Sequence, residues 1–368
     1  MAERELRARR DEAERSGRWI DAVRSALGHW WKALGVALLF GVVLIGLRTP
    51  LSPALVHVSE DKLHPGPVRI VVLGYNTHFS SEAAPKAWIE NDGQRVCAEA
   101  VTVLSDRLIE TSFNIPSGLR KDLSHLMVLD PEVGLITLYD AFWTDAKGSG
   151  IIGTPCAPTP EQVTTGTPFR FPHRSLLNES VRNLFFHVPM WFSMMVLMTI
   201  SVIHSVRYLR SNDLAQDDGA LSAAHVGLLF ALLGLVTGSI WARVTWGGWW
   251  TSDTKLNGAA VTTLIYSAYL VLRGSVPDQY KAARLAAVYN IFAFVLMVVF
   301  LMVLPRLSDS LHPGNGGNPA FSQYDLDDRL RLVFYPAVLG WILLAAWAYD
   351  LARRARRLQT ILHHAHNA

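Results

Sequence analysis

Long apolar runs divide the chain, and a single polar stretch separates the first run from the rest. The runs extend from about Trp30 to Leu47, Leu184 to Tyr208, Ala220 to Ala242, Leu256 to Leu272, Ala283 to Leu304 and Leu332 to Ala352. Each is close to the roughly 20 residues that a helix needs to cross a hydrocarbon core of about 30 Å. They are continuous rather than alternating, which predicts helices and not a barrel. Residues 49–183 read differently. Val68 to Tyr75, Gln94 to Val103, Leu108 to Ile115 and Gly134 to Phe142 alternate and favour β-branched residues, with turn residues between them (Asn91-Asp92-Gly93, Pro116-Ser117-Gly118). That pattern predicts a small antiparallel β-domain, and the Gly/Pro/Thr-rich residues 148–175 a linker back to the membrane. The expected fold class is an all-α polytopic membrane protein with six transmembrane helices and an inserted extracytoplasmic, mostly β domain. Its parts are a charged leader (1–28), a first helix (29–48), the β-rich domain with its linker (49–183), a five-helix membrane core (184–352) and a tail (353–368).

Charge fixes the expected orientation. Eight cations from Arg4 to Lys32 lie before or at the start of the first run, Arg353, Arg354, Arg356 and Arg357 follow the last, and short loops carry Arg207, Arg210, Arg273, Lys281 and Arg284. Positive residues stay on the cytoplasmic side, so both termini are expected in the cytoplasm of a bacterial cell with the protein in the inner membrane. The net charge of +3 over 368 residues gives no reason to expect nucleic acid. The first run lacks a small-residue cleavage site after Leu47 and reads as an uncleaved anchor. Cys97 and Cys156 both fall in the polar domain, where a disulfide and two free thiols are equally open.

Alternation of the helices brings three features to one membrane face. His187 opens the second helix in Phe185-Phe186-His187-Val188-Pro189. A loop at 241–256 carries Trp241 and then Trp246-Gly247-Gly248-Trp249-Trp250-Thr251-Ser252-Asp253. A loop at 305–330 carries His312 in Leu311-His312-Pro313-Gly314. Neutral imidazole is an axial ligand for haem iron, indoles offer flat apolar surfaces for a porphyrin, and Arg243, Lys255 and Arg306 stand beside the loops as partners for propionates. Each has an ordinary alternative. Tryptophans at a membrane boundary are commonly interfacial anchors, His187 fits a helix start, and His312 fits a solvated turn. The coincidence of all three on one face favours haem. His225 and Asn290 within helices are expected to be packed and hydrogen-bonded. The tail cluster His363, His364 and His366 is expected to be disordered, and Asp130, Asp140 and Asp145 form no catalytic pairing.

The run Trp246 to Asp253 resembles the tryptophan-rich WWD signature of haem-handling proteins. With the lead-in Thr237-Gly238-Ser239-Ile240-Trp241-Ala242, His187-Val188-Pro189 and Leu311-His312-Pro313-Gly314, it resembles the haem exporter protein C (CcmC) family over roughly residues 184–350. The resemblance implies haem b held between His187 and His312 as axial ligands against Trp246, Trp249, Trp250 and Asp253, with transfer to a CcmE-like haem chaperone. It further implies CcmA/CcmB-like ABC components and a small CcmD-like subunit as partners, and no bond-making chemistry. Ser252 and Lys255 stand where that family usually has Trp and Arg, and the 49–183 domain replaces a short loop. The alternatives are a WWD-type cytochrome c haem lyase subunit and a membrane haem b redox protein, the latter having only His204 and His225 for intramembrane ligation. No Gly-x-x-x-x-Gly-Lys-Ser/Thr phosphate loop occurs, so ATP hydrolysis would belong to a partner.

Overall fold

The computed structural model describes residues 28–119, 122–144, 169–312 and 325–367. It divides into two compact units, one formed by the chain up to Arg48 together with residues from Ser180 onward, the other by Thr49–Glu179.

The first unit is helical. α1 spans Gly28–Arg48, α2 His187–Ser211, α3 Leu214–Trp246, α4 Thr254–Ser275, α5 Gln279–Val298, α6 Leu304–Leu307 and α7 Asp328–Asn367. A 3₁₀ segment, Asn178–Phe185, leads into α2. Among the described residues, five helical stretches are long and apolar enough to cross a membrane: α1, the 3₁₀ segment with α2, α3, α5 through α6, and α7 to Leu362. The protein is therefore a multi-pass membrane protein. The 22-residue α4 is long enough, but Thr262, Thr263, Tyr266 and Tyr269 dilute its apolar run, and all four are buried.

Small residues bring the helices together. At Gly340 of α7 an added Cβ would lie 3.1 Å from Leu39 of α1, and at Gly227 of α3 one would lie 2.8 Å from Met198 of α2. Several polar side chains inside the bundle pair with one another, as the scarcity of water at that depth favours. Asn290 of α5 donates to Ser201 and Ser205 of α2 at 2.7 and 2.8 Å, and Arg273 of α4 pairs with buried Asp217 of α3. His225 contacts the Leu221 carbonyl at 2.9 Å. Both nitrogens of His204 are engaged, Nδ1 by Gln216 at 2.8 Å and Nε2 by the Tyr349 hydroxyl at 2.9 Å.

Helix ends differ from the sequence expectation in two places. α3 runs four residues past Ala242, so Trp241 and Trp246 sit on its last turns and the loop is only 247–253. Nothing breaks the helix before Gly247, which takes a left-handed φ of 79° as its C-cap. α7 continues through Arg353–Arg357 to Asn367, so the tail backbone is helical rather than disordered; arginine and leucine are strong helix formers.

The second unit is a two-sheet β-domain. β1 (Ala54–Val58), β3 (Gly66–Tyr75), β7 (Leu108–Ile115) and β6 (Ala100–Ser105) form one sheet in the order β1-β3-β7-β6. β2 (Lys62–Leu63), β9 (Gly134–Thr144), β8 (Leu123–Asp130), β4 (Lys86–Asn91) and β5 (Gln94–Cys97) form the other, in the order β2-β9-β8-β4-β5. Pairing is antiparallel except between β2 and β9. Alternate residues of both sheets, among them Ile70, Val72, Ile109 and Phe113 opposite Ile89, Leu126, Val128 and Phe142, make one core. The Asn91-Asp92-Gly93 turn closes the β4–β5 hairpin, with φ of 47° at Asp92 and 79° at Gly93. The stretch expected as one strand, Gln94 to Val103, is two. The chain changes sheets at Ala98-Glu99, where Ala98 N–H donates to Ala87 and Glu99 N–H to Ser112. Cys97 is disulfide-bonded; Cys156, Asp145 and most of the 148–175 linker lie outside the described residues.

Candidate functional site

Helices α2 and α3 are antiparallel neighbours, so the start of α2 lies beside the end of α3. His187, the first residue of α2, lies against α3 where Gly238 leaves room; an added Cβ there would be 2.6 Å from the imidazole Cε1. Its Nδ1 is 3.1 Å from the Thr237 hydroxyl. That hydroxyl donates its own proton to the Leu233 or Gly234 carbonyl at 2.8 or 3.2 Å, so it accepts from Nδ1–H. Trp241 stands edge-on to the ring with centroids 5.7 Å apart, and Trp191 likewise at 6.4 Å. Trp241 is itself fixed by its indole N–H, which donates to Ser180 at 3.1 Å.

The second histidine is assembled around Asp253. This residue is the N-cap of α4, accepting from the backbone N–H of Lys255 at 2.9 Å and Leu256 at 3.3 Å. Its other oxygen accepts from Ser310 Oγ at 2.8 Å and Leu311 N–H at 2.7 Å, and Oδ1 lies 3.0 Å from His312 Nδ1. Burial pushes the carboxyl up, but the hydrogen bonds from His312, Ser310 and Leu311 outweigh it and hold Asp253 well below the usual carboxylate range. It is thus an anion at neutral pH and can only accept, which places the proton of His312 on Nδ1. Trp246 of α3 stands edge-on to His312 at 5.0 Å.

The α5–α6 segment delivers Ser308, Ser310 and His312 to this point. Pro305 cannot donate to the helical ladder, and a π-turn at Val299–Val303 precedes it. Gly258 of α4 admits the widened turn: a Cβ there would lie 2.6 Å from the Phe300 carbonyl oxygen. Ser308 then donates to Thr254 at 3.1 Å.

The remaining expected residues lie around these two centres. Trp249 and Trp250 are exposed, at 60% and 46%. The Trp249 carbonyl accepts from Ser239 at 2.8 Å, and the Trp250 indole N–H donates to Asn257 at 3.1 Å. Arg243 folds back onto the Gly247 carbonyl that ends its own helix. Arg306 is exposed and Lys255 half-buried. Pro313 and Gly314 lie outside the described residues.

Thr237 and Gly238 stand in the lead-in to the tryptophan-rich run but have no role legible from sequence, and Ser310 acts through a contact that a linear reading does not detect. An acidic residue immediately before the apolar run of α4 is, however, a helix-start signal, and it marks Asp253 as a cap.

These features define a class: a multi-pass membrane protein with two imidazoles held among tryptophans at one end of its helical bundle. The model of the family described as heme exporter protein C, CcmC, matches residues 166–363, more than half of the chain. The chain belongs to the CcmC family. It is 28% identical over 186 residues to heme exporter protein C of Bradyrhizobium diazoefficiens, covering 49% of this chain and 70% of that protein. Against the Escherichia coli K12 protein of the same name it is 28% identical over 178 residues, covering 45% and 66%. It is 34% identical over 101 residues to cytochrome c biogenesis protein CcsA of Prochlorococcus marinus, covering 27% and 32%. Two of these three alignments span less than two thirds of the relative, and the chain up to residue 165, with most of the β-domain, lies outside the family match.

Proposed function

We propose that this protein holds haem b between His187 and His312 at the extracytoplasmic face of the inner membrane and transfers it to a CcmE-like chaperone during cytochrome c maturation. One observation carries the reading. Both imidazoles are tethered through Nδ1, one by the Thr237 hydroxyl and one by the Asp253 carboxylate. A histidine whose Nδ1–H is anchored by an oxygen acceptor presents Nε2 as a lone-pair donor of fixed direction, the state a metal ligand needs. His204, with both nitrogens engaged, lacks that freedom, which argues against an intramembrane redox haem.

Haem brings an iron with two axial positions and two carboxylates. The chain's part is to orient the two Nε2 atoms, line the site with Trp241 and Trp246, and offer exposed Trp249 and Trp250 to the macrocycle and the chaperone. Arg306 and Lys255 are the cations nearest in sequence for the propionates, while Arg243 is engaged at its helix end. In this reading α4 makes the sixth crossing, both termini are cytoplasmic, the transfer involves ligand exchange without bond-making enzymology, and CcmA/CcmB-like and CcmD-like subunits complete the assembly.

The test is the absorption spectrum of purified wild type and His187→Ala/His312→Ala protein, with haem content quantified by the pyridine haemochrome. A six-coordinate low-spin spectrum in wild type, lost in the double variant, is expected; equal haem content in both would end the ligand assignment. The CcsA similarity favours a second reading, a lyase-type partner in covalent haem attachment. Incubation with haem and a peptide carrying a Cys-x-x-Cys-His motif separates the two, since only a lyase leaves thioether-linked haem on the peptide.

A further inference from the structure

At the end of the bundle opposite the histidines, α4 and α5 are joined by a short turn and flank an open groove of about 700 Å³. Its walls are apolar, formed by Leu272 of α4 with Leu285, Val288 and Phe292 of α5, and Lys281 and Arg284 stand where the turn begins α5. Val288 and Phe292 are 56% and 65% exposed, so the groove faces outward from the helices. Neither cation has a carboxylate partner among the described residues. Asp278 caps α5 through the Lys281 backbone N–H and not through its ammonium group. Among the other cations at this end, Arg273 is neutralised by Asp217, and Lys32 and Arg354 share Asp350.

We propose that this groove is a binding site for an anionic phospholipid, with Lys281 and Arg284 on the headgroup phosphate and an acyl chain along Leu285, Val288 and Phe292. The charge and shape agree on that occupant. A helix start is a favourable place for negative charge, two cations near the bilayer surface attract an anionic headgroup, and the wall beneath them carries no polar side chain beyond Tyr289, whose hydroxyl donates to the Ile265 carbonyl at 3.1 Å. A partner helix with an acidic residue at this depth is the competing occupant.

The experiment is native mass spectrometry of the full-length protein in detergent, titrated with dioleoyl phosphatidylglycerol or dioleoyl phosphatidylcholine. Wild type is expected to retain the anionic lipid preferentially, and Lys281→Gln/Arg284→Gln to lose that preference on the order of tenfold. Arg207→Gln/Arg210→Gln, on the α2–α3 side, should keep it, and Val288→Trp, which fills the groove, should reduce retention of both lipids. Excess inorganic phosphate should not displace the bound lipid. All substituted side chains lie on the surface; a matching monodisperse elution profile confirms that each variant is folded. Equal retention of both lipids by wild type, unchanged preference in the Lys281/Arg284 variant, or a stoichiometric partner helix that crosslinks at position 284 and excludes lipid, would each overturn the assignment.

Discussion

The two histidine centres use the same ring atom for support but stand on different scaffolds. His187 is held by packing between two long helices: Gly238 gives it room, Trp241 and Trp191 stand against its ring, and one hydroxyl sets its tautomer. His312 sits on a connecting segment, 26% exposed at the side chain, and owes its place to a single carboxylate that also caps α4 and gathers Ser310 and Leu311. The contrast shows one histidine packed between two long helices and the other held on a connecting segment at the same end of the bundle. The haem transfer proposed above would benefit from such a pair, because release would require one histidine to let go before the other.

The contrast can be broken most directly at the two histidines. His187→Ala should lower haem affinity by about 100-fold or more, beyond what loss of a supporting contact costs, and His312→Ala by less if the second ligand is the one that yields; haem titration followed in the Soret band measures both. Equal losses would remove the asymmetry. Next in size is Gly238→Ala. Its Cβ would overlap His187, so affinity should fall roughly tenfold and stability by about 1–3 kcal/mol, read by haem titration and thermal unfolding. Asp253→Asn should cost about tenfold in affinity through His312, and Asp253→Ala should additionally lose about 1 kcal/mol of helix capping. Faster hydrogen exchange at Leu311 and His312 in both variants, with residues 233–241 unchanged, is the expected signature. The smallest effect belongs to Thr237→Val, about 1 kcal/mol for one hydrogen bond; an effect larger than that of Asp253→Asn would invert the ranking of the two scaffolds.

Much of this arrangement is readable along the chain because it depends on local pattern. Leu108 to Ile115 alternates and forms β7 with those same bounds, and the apolar runs lie within the long helices. His187, His312, Trp246 and Asp253 attract notice by residue type and by the alternation of crossings. What escapes is tertiary. Trp241 and Trp246 belong to a helix rather than a loop because α3 meets no breaker before Gly247. The Asp253–His312 pairing joins residues 59 apart in sequence. The break between β5 and β6 depends on which sheet each half finds a partner in, and no local propensity encodes that choice. The polar face of α4 reads as weak hydropathy, though its neighbours bury it.

The widened turn at Val299–Val303 has a consequence for how α5 meets two surroundings. A π-turn carries about one residue more than an α-turn, and each residue advances a helix by about 100°. The phase of the segment after 303 is therefore reset by roughly a quarter-revolution relative to the segment before it. That offset sets the direction in which Ser308 and Ser310 leave the helix relative to the outward stripe of Leu285, Val288 and Phe292, so deleting one residue from the turn would swing the two serines away from Thr254 and Asp253.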